Sequence, residues 1–600
     1  VILLENDFRD LPVGQFSAEV GPHTEYHFLP EAAPRGNWTV ACFISPIESQ
    51  RALHIVQKED RRAFVQTYSN DRPHTHPMVV AGKTDWEDYS VEISLTPRSN
   101  HGRIGLVFRL RNSRCYYFFG LVADGVSLVR VNHGSAYRTP VEHSLGESDR
   151  RCTIDEPVTL SVVVSGDTIT CALDGETVLT TTDDTFPQGK VGFLADGPCD
   201  YHSIRVEASD EEQSRVGLLR SKAEREIDDL RATNPKPVLW KKISTAGFGV
   251  GRNLRFGYLT GSGMPDVLVT QIHHHGPRDA YCECHCLTAM TFDGDILWRV
   301  GEPEASKYAL TTDVGVQIHD IDNDGRNEVI YCKDFEIVVL DGATGEVKLK
   351  APTPQSRPPA DKSPHILGDC LFFCDLSGKG HPQDVLIKDR YWNFWILNDQ
   401  LETQWHQEIR TGHYPYACDI DDDGCDELAI GYALFDHDGT MLWNLEDRVQ
   451  DHADGVAIAD FGEGAGLKIL YTASDSGVFF IDLEGNILKH HWIGHGQNPA
   501  IARFREDLFD LQAVSINFWG NQGILHFYDS AGNIYHDCVP NPFGSMCLPV
   551  NWKGDGIGYF VHNPNITWGG MFDGWGRPVV GFPDDGHPDM CNAVLDITGD

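Results

Sequence analysis

This sequence has no apolar run approaching the roughly 20 residues that a membrane-spanning helix needs, and it is short of cations. Lysine and arginine total 49 against 88 aspartates and glutamates, a formal charge of −39. Such a chain repels nucleic acid and anionic membranes, so neither is expected as a partner. A polyanionic ligand would need local cations, from clustered Arg and Lys or from bound metal. The G-x-S-x-G elbow, the Walker loop and the H-E-x-x-H zinc motif are also missing. Sixteen cysteines are scattered without a small-protein framework and read mostly as buried thiols. Cys282, Cys284 and Cys286 alternate along an expected strand but lack the spacing of zinc ligands. Val1 opens neither a signal peptide nor a start methionine, while sequons at Asn37 and Asn565 hint at secretion.

What is present is β-structure in two styles. The length of 600 residues exceeds one typical core, so at least two domains are expected. Within residues 1–208, short alternating runs such as YSVEISLTP, GRIGLVFRL and VTLSVVVSG read as antiparallel strands of a sandwich of jelly-roll type. Residues 209–236 change period: Val216, Leu219, Ala223, Ile227 and Leu230 fall at helical spacing, and Pro235 closes the run as a helical linker.

From 237 to 600 the sequence repeats every 40 to 50 residues or so, the period of four-stranded propeller blades. Outer hairpins recur as FDGDILWRV, VLDGATGEVKL, FDHDGTMLWNL and FIDLEGNILKH, and inner strands end in turns such as HDIDNDG, CDIDDDG and LDITGD. The fold class expected is therefore all-β, a sandwich followed by a β-propeller. Eight blades fit best, the last one incomplete and PVLWKKIS serving as a detached outer strand; seven is the alternative.

Two of the turns, Asp320, Asp322, Asp324, Glu328 and Asp419, Asp421, Asp423, Glu427, follow a D-x-D-x-D-G-x-x-E pattern. Alternate carboxylates around a glycine turn supply the oxygens that Ca2+ requires, so calcium is expected there as a blade staple. Histidines form a second register: His413, His452, His495 and His587 stand just before inner strands, with His365 slightly further back. Strand entries ring one mouth of a propeller's channel, so these histidines should converge, and histidine exchanges protons at ordinary pH. Lys388, Arg390, Tyr391, Tyr414, Tyr416, Asp454, Asn498, Trp575 and Arg577 are expected around this crown, Arg390 or Arg577 pairing with a carboxylate. Trp392 and Trp395 read as strand core.

The D-x-D-x-D-G turns, the D-G-x-x-L-W outer strands and the run from LPVNWKGDG through DGWGRPVVGFPDDGHPD to LDITGD resemble calcium-rich propeller polysaccharide lyases over residues 238–600. Rhamnogalacturonan lyases are the nearest in pattern, with ulvan and rhamnose-glucuronate lyases related in architecture. The N-terminal region resembles a concanavalin-like, laminin-G-type sandwich, which does not belong to the rhamnogalacturonan lyase pattern. The resemblance implies β-elimination at a uronic acid in an acidic polysaccharide or oligosaccharide. It implies a base in His413 or His452, an acid in Tyr414 or Tyr391, and Arg390 neutralising the uronate carboxylate. His365, Lys388, Tyr416, Asp454, His495, Asn498, Trp575, Arg577 and His587 would line the substrate. A glycoside hydrolase using two carboxylates, for which Asp454 and Asp589 are candidates, and a non-catalytic glycan- or protein-binding propeller are the competing readings.

Overall fold

A computed structural model describes residues 1–16, 36, 38–41, 52–72, 75–132, 139–249, 253–275, 281–304, 314–360, 362–517, 524–539, 544–564, 570–583 and 593–597. Alternation of apolar and polar residues gives the N-terminal region a pair of facing antiparallel sheets, in which Tyr89–Pro97 pairs with Val158–Ser165 and Cys199–Glu207 on one side. Ile104–Asn112 pairs with Cys115–Val122 and Lys190–Ala195 on the other. Their inner faces bury Phe8, Trp38, Phe64, Phe193 and Tyr201 in one aromatic core. The sandwich expected from the sequence is the fold observed.

Helix α1 spans Asp210–Thr233, and its N-cap Ser209 accepts the Glu212 N–H. Its C-terminal end lies against strand Pro578–Gly581, where Arg231 Nε donates to the Pro578 carbonyl and Asn234 Nδ2 to the Val579 carbonyl.

Beyond the helix, the described residues form seven four-stranded antiparallel sheets in chain order, the arrangement of a β-propeller. Buried clusters fill the spaces between consecutive sheets, for example Ala429, Tyr432, Tyr471 and Phe479 between the fourth and fifth. The repeated outer hairpin has a packing reason. Trp298, Trp405 and Trp443 each lie on the turn glycine of the following sheet, Gly345, Gly439 and Gly485. These glycines have φ of +72°, +87° and +82°, and a Cβ on any of them would stand within 3.0 Å of the indole. The motif is thus an inter-blade joint.

One sequence expectation changed. PVLWKKIS forms no strand: Trp240 packs on Phe292 and Lys241 pairs with Asp293, while Val238 is 84% exposed. Among the described residues no strand pairs with it, and the run is irregular. Of the expected eighth unit, residues 593–597 carry no strand and the rest lies outside the described residues. Among the described cysteines none is disulfide-bonded, and most are buried.

Candidate functional site at one face of the propeller

Antiparallel alternation sorts the loops of a four-stranded blade onto two faces. The entries to first strands and the turns between second and third strands share one face; the first-to-second and third-to-fourth turns share the other. His413 precedes Tyr416–Cys418 in the fourth sheet, His452 and Asp454 precede Gly455–Asp460 in the fifth, and His495 precedes Gly496–Ala502 in the sixth. All are therefore on the entry face, as expected. His452 and Asp454, two residues apart just before the strand, both face the same cluster.

These side chains meet at Asp454. Its Oδ1 lies 3.3 Å from His413 Nε2 and 3.5 Å from His452 Nε2, and its Oδ2 lies 3.3 Å from His495 Nε2. Ser474 Oγ, from the second-to-third turn of the fifth sheet, donates to Oδ2. The opposite ring nitrogens are held as well. His452 Nδ1 faces Asp451 Oδ1 at 2.9 Å, and His495 Nδ1 faces Asp475 Oδ1 at 2.8 Å. Burial alone would raise the Asp454 pKa; the surrounding histidines instead hold it well below the carboxylate range. Burial likewise works against a charged His452, yet Asp454 and Asp451 push its pKa up to about 10.

The fourth sheet is brought to this cluster by backbone. His413 N–H donates to the Ala453 carbonyl at 3.0 Å, and Gly412 at φ +63° permits the approach, since a Cβ there would stand 2.3 Å from that carbonyl oxygen. Ser476 Oγ accepts the Gln450 and Asp451 N–H groups at 3.3 Å and fixes the segment leading into His452.

Tyr391 completes the near side, its ring 4.8 Å from that of His452 and 5.7 Å from that of His413. It sits in the turn between Asp384–Lys388 and Asn393–Leu397, which Asp389 Oδ1 organises by accepting the Tyr391, Trp392 and Asn393 N–H groups. Arg390 pairs with Asp369 at 2.8 Å and lies over the Tyr391 ring. Lys388 is buried, its ammonium bound to Asp369 and to the Asp389 and Arg390 carbonyls, so it builds the turn. Tyr414 and Tyr416 are exposed beside His413, and Trp392 is 37% exposed where core was expected; Trp395 is buried.

Other candidates stand elsewhere. Trp575 and Arg577 occupy a third-to-fourth turn, hence the opposite face, where Arg577 pairs with Asp573 and Glu226 and Trp575 stacks on Arg505. The turn order of the blade separates them from the histidines. His365 Nδ1 donates to the Thr353 carbonyl and ties down the connection into the third sheet. Asn498 sits at a bulge in the first strand of the sixth sheet. His587 and Asp589 lie outside the described residues. Asp451, Asp475 and Ser474 were not legible as site residues; the DHAD run and the ASDSG turn are their only sequence signal.

The acidic turns lie on the opposite face and share a backbone, with Asn323 and Asp422 both left-handed. In each, ligand oxygens of the first and second aspartates and the glutamate cluster within 4.8 Å. They differ in charge balance. Lys348 places its ammonium 2.8 Å from Asp322 and 2.7 Å from Glu328, filling the first turn with an internal cation. By strand register its counterpart in the fourth sheet is Leu442. There the buried Glu427 keeps Oε1 without a hydrogen-bond partner, and burial with Asp421 and Asp423 nearby pushes its pKa up. The donor set at 419–427 fits Ca2+ without an internal cation; the set at 320–328, equally rich in carboxylates, already holds one positive charge from Lys348.

No family model and no curated protein matches this chain. Among solved structures, it is similar to rhamnogalacturonan lyase YesW at 13% identity, covering 80% of this chain and 86% of that one with a TM-score of 0.41. It is similar to exotype rhamnogalacturonan lyase YesX at 13% identity, covering 88% and 80% with a TM-score of 0.43. A Bacillus licheniformis rhamnogalacturonan lyase gives 12% identity, 89% of each chain and a TM-score of 0.39.

Proposed function

We propose that the protein is a polysaccharide lyase that cleaves a uronate-containing glycan by β-elimination at the entry face of the propeller. The observation that carries this reading is the convergence of His413, His452 and His495 on Asp454, with Tyr391 and Arg390 alongside. In a chain of formal charge −39, His452, whose pKa is pushed up, and the Arg390 guanidinium offer a sugar carboxylate positive charge at this face.

In such an elimination the C5–H proton passes to a base, the C4–O bond breaks, a C4=C5 double bond forms, and the leaving oxygen takes a proton. The developing negative charge on the carboxylate must be stabilised. Both ring nitrogens of His452 face carboxylates, so it is not a free base; the His413–His452 side of the cluster receives the uronate carboxylate instead. Arg390, committed to Asp369, lies over the Tyr391 ring and orients it; Tyr391 as its phenolate takes the C5 proton and, as the phenol so formed, gives it to the leaving oxygen, with Tyr414 at the rim. A hydrolase needs two carboxylates facing each other across the bond, whereas Asp451, Asp454 and Asp475 are each turned onto a histidine.

Calcium belongs to the other face. Ca2+ held by Asp419, Asp421, Asp423 and Glu427 would offset part of that turn's negative charge and staple the first two strands of the fourth sheet.

The test is to incubate the protein with pectic, ulvan and gum-type polymers and follow the ultraviolet absorbance of an unsaturated uronate. Absorbance should rise with one of them and fall by about 100-fold or more in Tyr391→Phe, the scale of a lost acid–base group. Reducing ends without absorbance would mean hydrolysis, and binding without product would mean a glycan-binding propeller.

A further inference from the structure

We propose that His413 Nε2, His452 Nε2 and Asp454 Oδ1 form a binding site for a divalent transition-metal ion of the zinc class, with an open coordination position toward the mouth.

Ligand spacing is the first support. The three atoms lie within 4.8 Å of one another, and Asp454 Oδ1 stands 3.3 and 3.5 Å from the two imidazole nitrogens. A charge-assisted hydrogen bond would close to about 2.7–2.9 Å. Two ligands each about 2.1 Å from a tetrahedral ion stand about 3.4 Å apart. The two Asp454 edges match the separation of co-ligands of one ion.

The outer groups are the second support. A metal-ligating histidine donates its other ring N–H to a carboxylate, and a ligating carboxylate is itself hydrogen-bonded. Here Asp451 holds His452 Nδ1 at 2.9 Å, which turns Nε2 toward the site. Ser474 donates to the second oxygen of Asp454, and Asp475 fixes His495, whose Nε2 lies 3.3 Å from that oxygen. Two imidazoles with one carboxylate suit Zn2+ and its neighbours, whereas Ca2+ takes oxygen ligands. Three protein ligands leave a position for a substrate oxygen, as in catalytic zinc sites. Binding stands on this geometry alone; a role for the ion in relieving charge on the uronate carboxylate rests on the lyase reading.

The probes are Zn2+, by titration calorimetry of the chelator-stripped full chain, and Co2+, by its visible absorption. Wild type should take up one equivalent of Zn2+ at this site, and the Co2+ form should show an imidazole-ligated visible spectrum. His413→Ala with His452→Ala should abolish both signals. Asp451→Asn, which preserves shape, should weaken Zn2+ affinity by about 10–100-fold with the fold intact by circular dichroism. Folded wild type that takes up no Zn2+, or equal uptake by wild type and the double variant, would overturn the site. Lyase activity in metal-free protein would remove the ion's catalytic role without touching the elimination. Zn2+ uptake with no lyase activity on any polymer would leave the site standing and remove the lyase reading.

Discussion

Glu427 and Asp196 show how much one carboxylate's surroundings decide. Glu427 is buried with one oxygen unsatisfied, whereas its counterpart Glu328 is capped by Lys348. Calcium should therefore raise the melting temperature of the wild type, and Glu427→Gln should remove that rise. Lys348→Leu should add a second calcium equivalent in calorimetry, since it empties the first turn of its internal cation. Asp196, in the sandwich, accepts from the Arg103 N–H, Asn70 and His76, and these outweigh burial to hold its pKa below the ordinary value. A depressed folded pKa gives stability that is present above the unfolded value of about 3.9 and is lost as pH falls through the folded one. Asp196→Asn should cost about 1.5–3 kcal/mol in denaturant unfolding near neutrality, and the difference from wild type should shrink below pH 4 or so. The acidic ligands could be read from the sequence because they lie within nine consecutive residues. Lys348 could not, because it reaches them from the sheet's outer strand.

Strand entries, as elements, carry the site. Gly412 lets the fourth sheet's entry bond the fifth through the His413 N–H and the Ala453 carbonyl. Gly412→Ala should lose activity and cost about 1–3 kcal/mol by thermal or denaturant unfolding, from a strained left-handed alanine pressed against that carbonyl. The register of the repeats is enough to place His413, His452 and His495 on one face, because a fixed blade period sends equivalent positions to the same end of the sheets. It fails for Trp575 and Arg577, whose turn belongs to the opposite face, and it is silent on Asp451 and Asp475. Those two act through histidine nitrogens that only folding directs toward them.

For the whole molecule, sandwich and propeller were readable as all-β from alternation, turns and period, and both are the fold observed. Contact between them was not readable: Arg111 pairs with Asp537 at 2.6 Å, and the buried Arg114 approaches His526, across some 400 residues of sequence. The Arg111 pair is partly exposed, so Arg111→Ala should change stability by less than about 1 kcal/mol. The sandwich is thus placed beside the sixth sheet of the same propeller whose entry face holds the histidine cluster. The proposed elimination at that face is tested most directly by the mass of any product formed in heavy-oxygen water. A lyase adds no solvent oxygen at the cleaved bond, so the fragments should include an unlabelled unsaturated uronate. Incorporation of one heavy oxygen per cleavage into saturated fragments would contradict elimination.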